Sequence, residues 1–366
     1  MKILAIETSC DETAASVISF LQDKIDIQSN IVSSQIKIHA EWGGVVPNLA
    51  AREHLKNIIP VINESLDQSK TTLEEINLIA VTYGPGLIPA LLIGTSASKT
   101  LSYFSNKPLI GINHVEAHVY ANYFSENKKL LNDFEFPILA LIVSGGHTQL
   151  ILIKDHLKYK IIGETQDDAI GEAFDKIAKI LKLGYPGGPI ISKLADETKN
   201  KEVDLIKNTE IKKLFENLKF PRPMIGSGDF NFSYSGLKTS VMYFFKKLTT
   251  LSPSEKDLEV SKKLIAKYFQ EAAVEILIKK SQKAIEEYDA KTFLLAGGVA
   301  ANSYLRNQIS ENIKIPFHFP PLELCGDNAA MIAISAYYQY QNLSKKEKAN
   351  LTSNWKTLEA DSNLRL

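Results

Sequence analysis

Two histidines four residues apart, in His114-Val115-Glu116-Ala117-His118, are the part of this sequence best suited to chemistry. At that spacing on a helix the side chains share one face, with Cβ atoms roughly 6 Å apart, which suits coordination of one metal ion. The order is not His-Glu-x-x-His, so the zinc-protease pattern is absent. Asn113 reads as the helix N-cap, and Glu116 three positions on completes a capping-box pattern that gives it a structural task. Alone, the pair reads equally well as ligands or as helix-surface residues. A third ligand must come from elsewhere. Asp327, in Cys325-Gly326-Asp327-Asn328, is available, and it reads also as the N-cap of the helix that follows.

Other stretches carry weaker chemistry. Asp168, Glu172 and Asp175 recur at i, i+4 and i+7 along an amphipathic helix opened by Asp168. Stacked carboxylates repel, so such a face needs water, a cation or hydroxyl donors such as a ribose; a plain solvated face is the alternative. Tyr185-Pro186-Gly187-Gly188-Pro189 permits close backbone approach to a ligand or is only a tight turn. Phe230-Asn231-Phe232-Ser233-Tyr234-Ser235-Gly236-Leu237-Lys238-Thr239 interleaves aromatics with a lysine, the composition on which single-stranded nucleic acid stacks; buried strand aromatics are the competing reading. Lys207, Lys212, Lys213 and Lys219 with Arg222 form a modest basic segment, ordinarily explained as solvated charge.

The elements that position these residues read as a repeat. Ile3-Leu4-Ala5 to Thr13 overlays Ile138-Leu139-Ala140 to Thr148 at an offset of 135, each copy a strand, a small polar turn and a second strand. A weaker echo joins Leu78–Val81, running into Gly84-Pro85-Gly86 and a helix, to Phe293–Ala296, running into Gly297-Gly298 and another helix. Strand, glycine turn and helix N-terminus presents free backbone N–H groups to an anion. Mainly helical pattern fills Leu194–Tyr288, a link at Ile315–Pro321 precedes a last helix at Ala329–Tyr340, and a loosely held polar tail is expected beyond Ser344.

Composition bounds the rest. The 366 residues exceed the roughly 250–300 at which one core stops growing, so two domains or one used twice are expected. An apolar fraction of 45% with 23% charged residues excludes a disordered chain. With 42 basic and 42 acidic side chains there is no global field for polyanions. Cys10 and Cys325 make no disulfide framework and fit a reducing compartment. The N-terminus reaches Glu7 too soon for a secretory apolar region, and no apolar run approaches the ~18–20 residues of a membrane span. A cytoplasmic protein with no membrane association is expected.

Taken as an ordered set, the motifs resemble the tRNA N(6)-adenosine threonylcarbamoyltransferase family over about residues 1–343. The residues concerned are Ile6–Thr13, Gly43–Pro47, Gly84–Leu87, His114–His118, Val143–Thr148, Gly171–Lys176, Tyr185–Pro189, Phe232–Thr239 and Ala296–Asn302. The resemblance implies an α/β, duplicated actin-like ATPase fold: two lobes with a central cleft and helical insertions. It divides the chain into residues 1–133 plus 325–343, residues 134–324, and a tail at 344–366. It implies transfer of a threonylcarbamoyl group from threonylcarbamoyl-AMP to the N(6) amine of the adenosine 3′ of the anticodon, in tRNAs reading codons that begin with adenine. By motif, His114, His118 and Asp327 would hold one divalent metal ion, iron or zinc. Ile142, Val143, Ser144, Gly145, Gly146, Asp175, Gly188 and Asn302 would hold the adenine nucleotide. Asp11 and Glu12 would serve catalysis, and Lys238 would touch tRNA. Implied partners are tRNA, a degenerate paralogue of the same fold, a small P-loop ATPase and a separate threonylcarbamoyl-AMP synthase.

Three positions depart from the family pattern: Asn48 for Glu, Pro89 for Gly, and Gly326 for Thr. An actin-like small-molecule kinase, a zinc metalloprotease and a non-catalytic scaffold are the rival readings. Zero net charge implies weak, salt-sensitive tRNA binding by the isolated chain, through a strip such as Lys207–Arg222 and Lys238.

Overall fold

The computed structural model describes residues 1–21, 24–124, 134–216 and 218–366. They form two compact units: Met1–Phe134 with Leu295–Gly297 and His318–Leu366, and Glu135–Leu294 with Gly298–Phe317. The expected seam after residue 133 abuts residues 125–133, which lie outside the described residues.

The first unit opens with β1 (Lys2–Glu7), β2 (Glu12–Leu21) and β3 (Lys24–Ser34), each antiparallel to the next. It continues through α1 (Ile36–Ala40), α2 (Pro47–Gln68), β4 (Leu78–Gly84), α3 (Ile88–Ser105), β5 (Leu109–Asn113) and α4 (His114–Tyr120). The sheet order is β3-β2-β1-β4-β5, with β4 parallel to both β1 and β5. β1 is apolar at consecutive positions because both of its faces are covered. Leu4 and Ile6 pack against Ile58, Val61 and Ile62 of α2. Ile3 and Ala5, equally buried, point the other way.

The second unit repeats the plan with β6 (Ile138–Val143), β7 (Thr148–Asp155) and β8 (Lys158–Glu164). There follow α5 (Ile170–Ile180), α6 (Gly187–Glu197), α7 (Thr209–Glu216), α8 (Ser235–Thr250), α9 (Glu255–Tyr288), β9 (Thr292–Ala296), α10 (Ser303–Asn312) and β10 (Phe317–His318). Its order is β10-β9-β6-β7-β8, so third, second, first, fourth and fifth strands are neighbours in both sheets. The hairpins agree in register as well as order. Ile3 pairs with Ile18 and Leu4 with Val17; at the same offset of 135, Ile138 pairs with Ile153 and Leu139 with Leu152. The repeat implies a duplicated domain, and the fold is the duplicated actin-like α/β architecture that the family resemblance implies.

The chain ends in the first unit with α11 (Ala329–Asn342), which packs on β1 to β5, and α12 (Lys345–Asn350). The expectation of a loosely held tail is corrected here. Leu358 is buried in the first unit's core with Trp355 packed against it, and the Asp361 N–H donates to the Tyr83 carbonyl at 2.8 Å. Two apolar side chains in a polar stretch suffice to pin it. No helix among the described residues is long and apolar enough to cross a membrane.

Candidate functional site

The Asn113 side chain caps α4, accepting from the N–H groups of Val115 and Glu116. This directs His114 and His118 to the same side, ring centroids 4.7 Å apart. Asp327 Oδ1 lies 3.6 Å from His114 Nε2 and 3.2 Å from His118 Nε2. All three ligand atoms fall within 4.8 Å of one another. An ion about 2.1 Å from tetrahedral donors needs donor spacings of about 3.4 Å, which the two carboxylate–imidazole separations bracket. Both ring nitrogens of His118 are buried without a well-formed hydrogen bond, and Nε2 has only the Asp327 carboxylate beside it. A buried imidazole left so is costly unless something else takes its lone pair. The donor set and this orphaned ring fit a divalent ion.

The remaining nitrogen of His114 is held from behind. Its Nδ1 lies 3.1 Å from Glu7 Oε2 and 3.2 Å from Ser9 Oγ. The fully buried Glu7 carboxylate also accepts from Thr82 Oγ1 and the Ser9 N–H. A carboxylate behind a ligating histidine fixes its tautomer and raises its basicity. Burial disfavours the imidazolium of His114, but Asp327 and Glu7 outweigh that and push its pKa up to about 9. The counterpart carboxyl of Glu7 is held below its ordinary value: burial works against ionisation, and His114 overcomes it.

Two sequence ambiguities are settled by the helices that carry these ligands. Asn328, not Asp327, caps α11, its side chain accepting from the Met331 N–H at 3.0 Å, so Asp327 is not the cap. The capping-box reading of Glu116 is corrected: its Oε1 accepts from Ser335 Oγ at 2.8 Å and Gln339 Nε2 at 2.7 Å, both on α11. A buried carboxylate thus ties the helix bearing two ligands to the helix that follows the third. Long-range partners displaced a local pattern.

At the tip of the β1–β2 hairpin, Asp11 is buried and Glu12 half-buried, with Glu12 Oε1 accepting from Ser34 Oγ at 3.0 Å. Burial first, then the charges of Asp11 and Asp327, push the Glu12 carboxyl up to about 9. A cation on Asp327 would remove that last contribution.

The second unit gathers the other expected residues. Ile142 and Val143 end β6, buried, and the Ser144 N–H donates to the His147 carbonyl at 2.8 Å. Gly145 and Gly146 are exposed, and a Cβ on either would meet nothing within 4 Å. The turn presses on the start of α5: the Gly171 N–H donates to the Ser144 carbonyl at 3.2 Å, and a Cβ on Gly171 would sit 2.6 Å from that oxygen. Asp175 Oδ1 accepts from the Gly187 N–H at 2.7 Å, fixing the first turn of α6 and leaving Gly188 with open space around it. Asn302 caps α10 through the Leu305 N–H, and its amide reaches Gln270 Oε1 at 2.9 Å and Ser192 Oγ at 3.3 Å.

Other expectations are corrected. Asp168 does not open the helix; Lys176 Nζ bridges it to Glu172, which it meets at 2.8 Å, and Asp175 is not part of that group. It precedes α5 and takes ion pairs from Lys176 at 2.5 Å and Lys238 at 2.6 Å, while Asp175 turns to Gly187. Phe230, Phe232 and Tyr234 are buried, so the core reading of those aromatics holds. Lys212 pairs with Asp204 and Arg222 with Glu275, which dilutes the basic strip. Sequence reasoning missed Glu7 and Ser9; the signal available was their place on the hairpin tip that also carries Asp11.

A His–His–Asp set with both imidazoles buried, in the first unit of a duplicated actin-like chain, is a candidate site for a divalent metal ion. The chain belongs to the tRNA N6-adenosine threonylcarbamoyltransferase family, whose model matches residues 26–334. It is 47% identical over 369 residues to the tRNA N6-adenosine threonylcarbamoyltransferase of Thermosipho africanus, covering 100% of both chains. The enzyme of the same name from Persephonella marina is 46% identical over 347 residues, covering 93% of this chain and 91% of that one. Among solved structures, the activator of the 2-hydroxyisocaproyl-CoA dehydratase from Clostridium difficile with bound ADPNP is similar at a TM-score of 0.49, 12% identity, and coverage of 94% and 100%.

Proposed function

We propose that the chain transfers the threonylcarbamoyl group of threonylcarbamoyl-AMP to the N(6) amine of the adenosine 3′ of the anticodon in tRNAs reading codons that begin with adenine. The transfer forms a bond between the amine nitrogen and the carbamoyl carbon and breaks the bond from that carbon to the AMP phosphate oxygen. AMP leaves with the electron pair, and the amine's surplus proton passes to the Asp11–Glu12 pair. His114, His118 and Asp327 would hold a divalent ion, iron or zinc, which when bound would supply Lewis-acid polarisation of the threonylcarbamoyl carbonyl. Glu7 and Ser9 orient His114, and Glu116 keeps α4 on α11. In the second unit, the N–H groups of Gly145 and Gly146 receive the phosphate, while Asp175 and Asn302 set the first turns of α6, beside Gly188, and of α10, against which the nucleoside rests.

The observation that carries this reading over a kinase of the same fold is the His114–His118–Asp327 set, within 4.8 Å and with His118 otherwise unpartnered. A kinase has no use for it. A metalloprotease would need a free glutamate to activate water, and Glu116 is committed to Ser335 and Gln339. The test is transfer from threonylcarbamoyl-AMP to unmodified tRNA by the intact chain and by His114→Ala: product from the first and none from the second is expected, and equal product refutes the mechanism.

The partner expectations belong to the same reading. α2 and α3 pack together and expose apolar side chains one turn apart, Leu55 and Ile59 on α2 and Ile88 and Leu92 on α3. Such a face suits helix-on-helix docking of the degenerate paralogue. The P-loop ATPase, the synthase and a cytoplasmic setting complete the proposal, with Lys238 touching tRNA only by exchanging Asp168 for a phosphate.

A further inference from the structure

Three side chains that no step of the transfer uses close around the hairpin tip bearing Asp11 and Glu12. His54, on α2 and fully buried, places Nε2 3.0 Å from the Cys10 carbonyl and Nδ1 2.8 Å from Thr13 Oγ1. A carbonyl only accepts, so Nε2 carries the proton and Nδ1 accepts from the threonine hydroxyl. Gln35, buried at the end of β3, donates its N–H to the Asp11 carbonyl at 3.0 Å, and its side-chain amide donates to the Ala50 carbonyl at 3.3 Å. His39, fully buried on α1, donates from Nε2 to Gln35 Oε1 at 3.0 Å and accepts at Nδ1 from the Val46 N–H at 3.3 Å.

The bonds form two sets, one through His54 and one through Gln35 and His39, and the donor of each bond is fixed by its partner. The opposite side of the tip is held as well, by the Leu87 N–H donating to the Ser9 carbonyl at 2.8 Å. Three successive carbonyls, Ser9, Cys10 and Asp11, are therefore held by groups outside the turn, which restricts where its two carboxylates point. A hairpin turn of this length does not require two buried imidazoles for stability; solvent or a local turn would satisfy the same carbonyls.

We propose that His54 is a positioning residue for the Asp11–Glu12 pair, acting through the Cys10 carbonyl and Thr13, with Gln35 and His39 as its counterpart at the Asp11 carbonyl. The part played in transfer rests on the reading that Asp11 and Glu12 serve that reaction; the clamp itself does not.

Three substitutions separate the two bonds of His54. A glutamine amide nitrogen reaches the place of Nε2, so His54→Gln keeps the bond to Cys10. An asparagine amide reaches only the place of Nδ1, so His54→Asn keeps Thr13 and loses Cys10. His54→Ala loses both. Each is compared with wild type by amide hydrogen exchange of the peptide spanning residues 8–14, by metal content, and by kcat and KM for threonylcarbamoyl-AMP and tRNA with the partner proteins present. Expected are faster exchange at the tip in His54→Ala and His54→Asn, and a kcat loss of roughly tenfold to hundredfold, the scale of a misplaced reacting group. KM for tRNA and metal content should stay at wild-type values, and His54→Gln should restore both exchange and kcat. Wild-type kcat in His54→Ala, or no rescue by His54→Gln, overturns the role in transfer. Unchanged exchange in all three overturns the clamp. If wild type itself transfers nothing, the functional reading fails while exchange still decides the clamp. Should His54→Ala not fold, His54→Asn against His54→Gln carries the same comparison.

Discussion

The two hairpins share strands and register, yet their tips are built to opposite ends. The tip of the first unit is closed: Glu7 and Asp11 are buried, and its carbonyls are taken by His54, Gln35 and Leu87. The tip of the second unit is open, with Gly145 and Gly146 exposed and nothing within 4 Å of where their side chains would begin. A duplicated strand pair preserves pairing because a slip of one residue turns every side chain to the wrong face. The turn is under no such constraint. One copy places carboxylates and braces a histidine; the other leaves two glycines exposed, as the proposed phosphate site requires.

The sharpest way to break this contrast is to empty the proposed metal site that the closed tip supports through His114. His118→Ala, or chelation of the intact chain, should abolish transfer by more than about a hundredfold, beyond the effect expected of an outer-shell residue. Metal analysis beside the assay decides it, and retained activity without metal defeats the assignment. Glu7→Gln should cost about ten- to hundredfold in metal affinity, read by competition with a chelator, because a neutral amide supports His114 less well. An affinity equal to wild type would mean the closed tip is architecture alone.

The open tip is tested by a pair of glycines. Gly171→Ala drives a Cβ into the Ser144 carbonyl, 2.6 Å away, and should destabilise the fold by about 1–3 kcal/mol in denaturant titration. Gly145→Ala should change stability by no more than about 0.5 kcal/mol while raising KM for threonylcarbamoyl-AMP severalfold. Equal KM values would remove the phosphate from that turn. Smallest of all, Lys238→Ala gives up a partly exposed pair with Asp168 worth about 0–1 kcal/mol. If the lysine reaches a tRNA phosphate, the slope of log affinity against log salt should fall by about one; an unaltered slope excludes it.

What could be read from the sequence follows the range of each interaction. The hairpin repeat, the Asn113 cap and the amphipathic α5 were legible because each is written in neighbouring residues, and so was the His114–His118 pair. Asp327 could be nominated but not separated from a cap until Asn328 took that place. Glu116 looked like a capping box because its partners on α11 lie 219 and 223 residues away. Asp168 looked like an unpartnered carboxylate for the same reason: one of its two lysine partners, Lys238, lies 70 residues on. The tail looked loose because one buried leucine among polar residues leaves no periodicity to detect.

The discontinuity of the first unit sets an order of assembly during synthesis. Its sheet is complete by Asn113, but α11 and the strap around Leu358 emerge only after the whole second unit has left the ribosome. Asp327 follows His118 by about two hundred residues, some ten to forty seconds at ordinary elongation rates. For that interval the two histidines exist without their carboxylate, and the unit that is translated first is the one that finishes folding last.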